Sequence, residues 1–270
     1  MAASHDASSK GSSHELRAAH TLSVTPEMFE KMYLSPQNQV KGDLRKTFAN
    51  PTPIGLVGFL MCLTPLSCNL MGWRGASGAG AAHIPVFFFM GGVQMVIASV
   101  LEWILGNSFS SVVFITFGTF WLAFGGTLNP SFAAYAAYAP EGEAAAAGMS
   151  APGFNASIGF WILWFNVLCF IFLILSLRTN IVFVILFFTL VIGLGLLTGA
   201  YWLMAEDIVG NAAAYGRLLV GSGAANFVCA MSGWYLLFSI LLTTVDFPIQ
   251  LPVGDLSGII KGKSEKEASK

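Results

Sequence analysis

Few side chains in this sequence are equipped for chemistry, and where they stand limits what that chemistry can be. Residues 54–245 hold only eight acidic or basic groups: Arg74, Glu102, Glu141, Glu143, Arg178, Glu206, Asp207 and Arg217. The other nineteen crowd into the first 53 and last 25 residues. His5, His14 and His20 precede the apolar region, and His83 stands alone within it. Cys62, Cys68, Cys169 and Cys229 lack both metal-ligand spacing and a partnering His cluster, so they read as small packing residues. There is no nucleophile–base arrangement, no phosphate-cradling loop and no pair of carboxylates. The sequence therefore points to no metal, no cofactor and no enzyme, and with no basic field to track phosphates it excludes a nucleic-acid partner.

The elements that must position these residues follow from composition. The 270 residues are 55% hydrophobic and 10% charged, with mean hydropathy +0.70, against about 25% charged residues in an ordinary soluble domain. A bilayer core about 30 Å thick needs roughly 20 apolar residues in a helix. Six windows meet that length, at 54–73, 84–106, 109–128, 156–177, 181–204 and 218–243. They are continuously apolar rather than alternating, which argues against a membrane β-barrel. The reading is an all-α integral membrane protein with six transmembrane helices. Pro65, after Pro51 and Pro53, predicts a kinked or interrupted first helix.

Three regions result: a polar cytoplasmic N-terminal tail (1–45), a six-helix domain (46–245) and a cytoplasmic C-terminal tail (246–270). Six spans put both termini on one side, and eleven of the thirteen Lys and Arg fall on that side. By the excess of basic residues in cytoplasmic segments, both termini are cytoplasmic. Residues 1–24 read as disordered, and Pro26–Leu34 as a short amphipathic helix on the inner surface. Residues 1–25 hold no apolar core of a cleavable signal. The connection at 129–155 carries no basic residue and lies outside, where it could fold over a pore mouth. Asn155-Ala156-Ser157 matches a glycosylation sequon but abuts the fourth span.

Polar groups at membrane depth need internal partners. In Asn50-Pro51-Thr52-Pro53, two prolines remove two backbone donors. The segment is either a helix start with Pro in the first turn, or a non-helical stretch whose Asn50 amide and free carbonyls line a vestibule. Glu102 is the one charge inside the six windows. It is either a proton-coupling carboxylate or pore group, or an interfacial Glu that reaches water or caps a neighbouring helix. The interfacial reading is preferred, because the cost of a charge falls towards the membrane surface. Gln94, Thr116, Asn166 and Asn226 can serve as interhelical hydrogen-bonding groups or as solute ligands. Small residues of the sixth window (Gly221, Gly223, Ala224, Ala225, Cys229, Ala230) allow close helix approach, within one protomer or between protomers.

The segment Asn50-Pro51-Thr52-Pro53-Ile54-Gly55-Leu56 is followed in order by four further groups. These are Glu102-Trp103, Gly106-Asn107-Ser108-Phe109, Phe117-Gly118-Thr119-Phe120-Trp121, and Trp234-Tyr235 with Leu251-Pro252-Val253-Gly254-Asp255. In this order and spacing the chain resembles the acetate uptake transporter family, which includes bacterial succinate–acetate permeases and fungal acetate and ammonia-export transporters. The likeness runs from about residue 45 to 257, and the Ser35–Lys46 lead-in resembles the fungal branch.

The resemblance implies a homohexamer of six-helix protomers in the plasma membrane, each with its own path for acetate and related monocarboxylates, often proton-coupled. It implies a hydrophobic constriction of Phe, Tyr and Leu, which falls on Phe59, Phe117 and Leu190. The Phe at 117 departs from the family's Tyr and removes a hydroxyl. Gln94 stands one position off the family pattern. Physically, such a ring dewets a narrow pore. A bare carboxylate loses its hydration there at large cost, while a protonated acid loses far less. With no Lys or Arg in the windows, the solute would rely on Asn50, Thr52, Thr116, Trp121 and backbone donors. Two alternatives stand beside acetate transport: ammonia or ammonium export, and a membrane sensor without net transport.

Overall fold

The computed structural model describes residues 47–260; the expected disordered tail and the Pro26–Leu34 helix lie outside the described residues. Among the described residues there are six long apolar helices: α1 (Thr52–Leu70), α2 (Gly78–Ile104), α3 (Ser108–Leu128), α4 (Pro152–Ser176), α5 (Ile181–Glu206) and α6 (Ala212–Thr244). Each is long and apolar enough to cross a bilayer. Their outward faces remain apolar, as at Phe89, Trp164 and Phe170, the pattern of helices solvated by lipid. The sequence windows locate all six. The largest end differences are at α2 and α6, which each begin six residues earlier than the windows in stretches rich in Gly and Ala.

α1 runs unbroken through Pro65, so the expected interruption is absent from the described helix. It packs on α6 and α2, α5 lies between α4 and α6, and α2 pairs with α3. Several small residues of α6 are used inside the protomer. A Cβ on Gly233 would sit 2.6 Å from Leu60, and one on Gly223 would sit 2.9 Å from the Ser67 carbonyl, both on α1. Three of the four cysteines are buried, and all four are free thiols.

α2 is not a uniform helix. Phe87–Gln94 forms a wide π-helical turn, a widening that other proteins often place at functional sites. Glycines 91 and 92 sit in this turn. A Cβ on Gly91 would lie 2.6 Å from Trp121 and 2.7 Å from Cys62 Sγ, so the turn presses its backbone into the space between α1 and α3.

The α2–α3 connection reverses the chain in three residues. Gly106 takes φ +79°, a left-handed conformation that favours glycine. The Gly106 amide donates to the Trp103 carbonyl (3.0 Å) and the Asn107 amide to the Glu102 carbonyl (2.9 Å). This pair of bonds is the Schellman pattern of helix termination. It returns Asn107 to the level of Glu102.

The expected C-terminal tail is not free where it is described. Residues 251–256 pack back on the α4–α5 connection. The Ile181 amide donates to the Gly254 carbonyl (2.9 Å), and the Leu256 amide donates to the Thr179 carbonyl (3.0 Å). Val253 is buried there. At the other end, residues 129–155 form three short 3-10 turns packed through Tyr135 and Tyr138 on Phe154. Asn155 is buried and donates to the Met149 and Ala151 carbonyls, so its sequon is not presented to solvent.

Candidate functional site

Three helix faces with three- and four-residue spacing converge inside the bundle. They are Phe59, Leu63, Leu66 and Leu70 on α1; Phe117, Phe120, Trp121 and Phe124 on α3; and Leu190, Leu194 and Leu197 on α5. With Phe165 and Asn226 they enclose a chamber of about 30 Å³, where roughly 10–15 Å³ suffices to admit a water. Leu66, Leu70, Phe124 and Leu197 also border a vestibule of about 310 Å³. The vestibule lies at the far end of the bundle from Thr52 and Thr244, and Asn69, Tyr201 and Tyr215 line it. A wide mouth thus narrows into an apolar throat. Residues 129–155 line neither cavity.

The structure brings Phe59, Phe117 and Leu190 together in the chamber wall, each nearly inaccessible. Phe59 and Phe117 meet edge to face at 5.2 Å, and Phe117 meets Phe165 the same way at 5.3 Å. Aromatic pairs prefer this arrangement, which adds about 0.5–1.5 kcal/mol beyond the area buried. The missing hydroxyl at Phe117 leaves that contact entirely apolar.

Two other expected residues, Trp121 and Asn226, are also in the wall. Trp121 is held by stacking on Phe87 of the π-helical turn (5.1 Å, 17°). The Asn226 amide nitrogen donates to Ser222 Oγ (3.3 Å), and the Ser222 hydroxyl donates to the Gly193 carbonyl (2.8 Å). Among the described residues, Trp121 Nε1 and Asn226 Oδ1 are buried and find no hydrogen-bond partner. Buried polar atoms normally have one.

The remaining expected residues lie elsewhere, and none lines either cavity. The Asn50 side-chain oxygen accepts from the Thr52 amide (3.0 Å) at the start of α1, where the prolines occupy the first turn. Of the two readings of this segment, the structure shows the helix start. Gln94 donates to the Ile54 carbonyl (2.9 Å) and ties α2 to α1. Thr116 is half-buried, and Asn166 faces α5 beside Gly195.

Glu102 is fully buried rather than wet, which corrects the preferred expectation that it reaches water. One carboxylate oxygen accepts from the Thr52 hydroxyl and the other from the Asn107 side-chain amide, both at 2.6 Å. It thereby holds the first turn of α1 to the α2–α3 reversal, so the helix-capping half of that expectation fits the geometry. Sequence reasoning gave Asn107 no role, although its position after Gly106 is the signal that places it here.

Six helices long and apolar enough to cross a bilayer, around a vestibule that narrows to a small apolar chamber, define a helical membrane protein. The comparisons with known proteins are specific. Residues 33–258 match the GPR1/FUN34/yaaH family, and the chain belongs to that family. It is 47% identical over 255 residues to Protein alcS of Aspergillus fumigatus, covering 94% of this chain and 91% of that one. It is 31% identical to the acetate transporter protein patA of Aspergillus clavatus, over 77% of this chain and 78% of that one. Among solved structures, the bacterial acetate channel SatP is similar with TM-score 0.56 and 25% identity, covering 77% of this chain and 99% of that one.

Proposed function

We propose that this protein carries acetate and related short monocarboxylates, each with a proton, across the plasma membrane, with the Phe59–Phe117–Leu190 ring as the gate. The observation that carries the reading is the funnel itself, an open vestibule leading to an apolar throat with no basic side chain in its wall. A throat of this kind favours small solutes that shed their charge before crossing. The names of the patA and SatP relatives supply the substrate class.

The proposal extends to cytoplasmic termini, supported by the distribution of Lys and Arg, and to a homohexamer with one path in each protomer. Glu102 lines neither cavity and has both oxygens engaged, which favours a structural latch there and a proton that travels on the acid itself. Proton coupling through Glu102 is the competing assignment.

The test is uptake of labelled acetate by proteoliposomes containing the purified full chain, with internal pH followed in the same vesicles. Acetate uptake accompanied by internal acidification is the expected result. No gain over empty vesicles between acidic and neutral pH would overturn the reading. Methylammonium flux without acetate flux would favour ammonium export, and no flux of either would favour a sensor.

A further inference from the structure

We infer that Trp121 and Asn226 form a donor–acceptor pair that recognises the neutral, protonated form of a short carboxylic acid and disfavours its anion. The inference rests on the transport reading above and deepens it.

The pair begins with what the chamber lacks. Its wall is otherwise apolar, yet it includes two residues with buried unpartnered polar atoms, the Trp121 indole N–H and the Asn226 side-chain oxygen. The indole can only donate. The orientation of the Asn226 amide follows from its neighbours. Ser222 spends its one hydroxyl proton on the Gly193 carbonyl, so its oxygen can only accept from Asn226. That engages one of the two Asn226 N–H groups and leaves the amide oxygen as an acceptor without a partner. Gly193 makes room for this arrangement, since a Cβ there would lie 2.7 Å from the Asn226 amide carbon. Trp121 is fixed on its other side by Phe87 and the Gly91 backbone.

Turned towards the chamber that their residues border, this donor and this acceptor would match a carboxylic acid in its protonated state. The acid carbonyl accepts from the indole, and the acid hydroxyl donates to the amide oxygen. A carboxylate has no proton to offer Asn226 and would set negative charge against that oxygen. With only neutral N–H donors and no Lys or Arg in the wall, little offsets its dehydration. The pair therefore acts on protonation state, while the aromatic ring acts on size.

Acetamide is a direct probe, because it is uncharged, close to acetic acid in size, and carries one carbonyl acceptor and N–H donors at every pH. In proteoliposomes of the full chain, acetate flux is expected to follow the concentration of undissociated acid when pH is varied, and acetamide should compete at all pH values. Trp121→Phe and Asn226→Leu should each weaken acetate flux and acetamide competition by about tenfold, the equivalent of one lost hydrogen bond. The double variant should fall well short of the product of the two losses, as expected for groups sharing one ligand. Folding of each variant is read independently by size exclusion and thermal melting in detergent. Should Asn226→Leu fail to fold, Trp121→Phe and acetamide competition on the unaltered chain decide the matter.

Flux that follows the anion concentration would overturn the pair, as would absent acetamide competition or folded variants with unchanged flux and competition. Acetate flux would persist in each of those cases and acetate transport would stand, although flux that follows the anion would also remove the proton that travels on the acid. No acetate flux by the unaltered chain would overturn the transport reading and this inference together.

Discussion

The two ends of α1 treat polar groups in opposite ways. At its first turn, Thr52, Glu102 and Asn107 are buried and satisfy one another at hydrogen-bond distances of 2.6 Å. Toward its other end, the chamber beside Leu63, Leu66 and Leu70 includes Trp121 and Asn226, each with a buried polar atom that has no partner among the described residues. A satisfied buried cluster fixes geometry, whereas an unsatisfied one is a cost the fold carries unless a ligand relieves it. On the proposed reading, the first region closes the bundle and the second handles the solute. Variants at each end can break that division.

The largest expected effect is at the latch. Glu102→Ala leaves the Thr52 hydroxyl and the Asn107 amide buried without their acceptor, at a cost of about 3 kcal/mol or more. Thermal melting of the detergent-solubilised protein should show a large downward shift and poor recovery. Glu102→Gln cannot titrate but keeps one acceptor and the side-chain volume. If the cluster is a latch, this variant loses less stability and retains acetate-dependent acidification. A folded Glu102→Gln protein that moves acetate without a proton would reverse the assignment and make the carboxyl part of the transport chemistry.

A smaller effect is expected at the ring. Leu190→Ala removes packing against Phe59 and Phe117, but a lipid-embedded protein gains little from burying that side chain away from water. The stability loss should therefore stay near about 2 kcal/mol, at or below the low end for core truncations. Selectivity should change more, with propionate and butyrate gaining on acetate in flux assays. Phe59→Ala should move selectivity in the same direction. Unchanged chain-length preference in both folded variants would remove the ring from the gate and leave size selection to the vestibule.

The contrast between the two ends also explains which features are legible in the amino-acid order alone. The six spans are legible because length and hydropathy by themselves define them. Phe59, Phe117 and Leu190 come from the family resemblance, since spans apolar on every side do not reveal which face meets the pore. Glu102 is misread as reaching water because its partner Thr52 stands fifty residues away, and no local pattern announces that contact. The paired prolines leave the Asn50–Thr52 segment open, and only the 3.0 Å bond from the Thr52 amide to the Asn50 side chain resolves it. The π-helical turn at Phe87–Gln94 leaves one trace in the sequence, Gly91-Gly92, and its meaning depends on Trp121 in the neighbouring helix.

The C-terminal segment offers the smallest test, and it concerns how firmly the Thr52 end is closed. The Tyr235 hydroxyl donates to the Pro252 carbonyl at 2.7 Å, beside buried Val253, and the strap continues through the backbone bonds of Gly254 and Leu256. Tyr235→Phe removes one hydroxyl at a half-buried position and keeps the ring, so the expected loss is about 1 kcal/mol. Because the other bonds of the strap persist, melting should shift only slightly, while protease cleavage between residues 247 and 260 should accelerate. If the strap is part of the closure, acetate flux should rise in the same variant, since the satisfied end of the bundle would open more often. Faster cleavage with unaltered flux would restrict closure to the Thr52–Glu102–Asn107 cluster and leave the strap a packing element of α4 and α5.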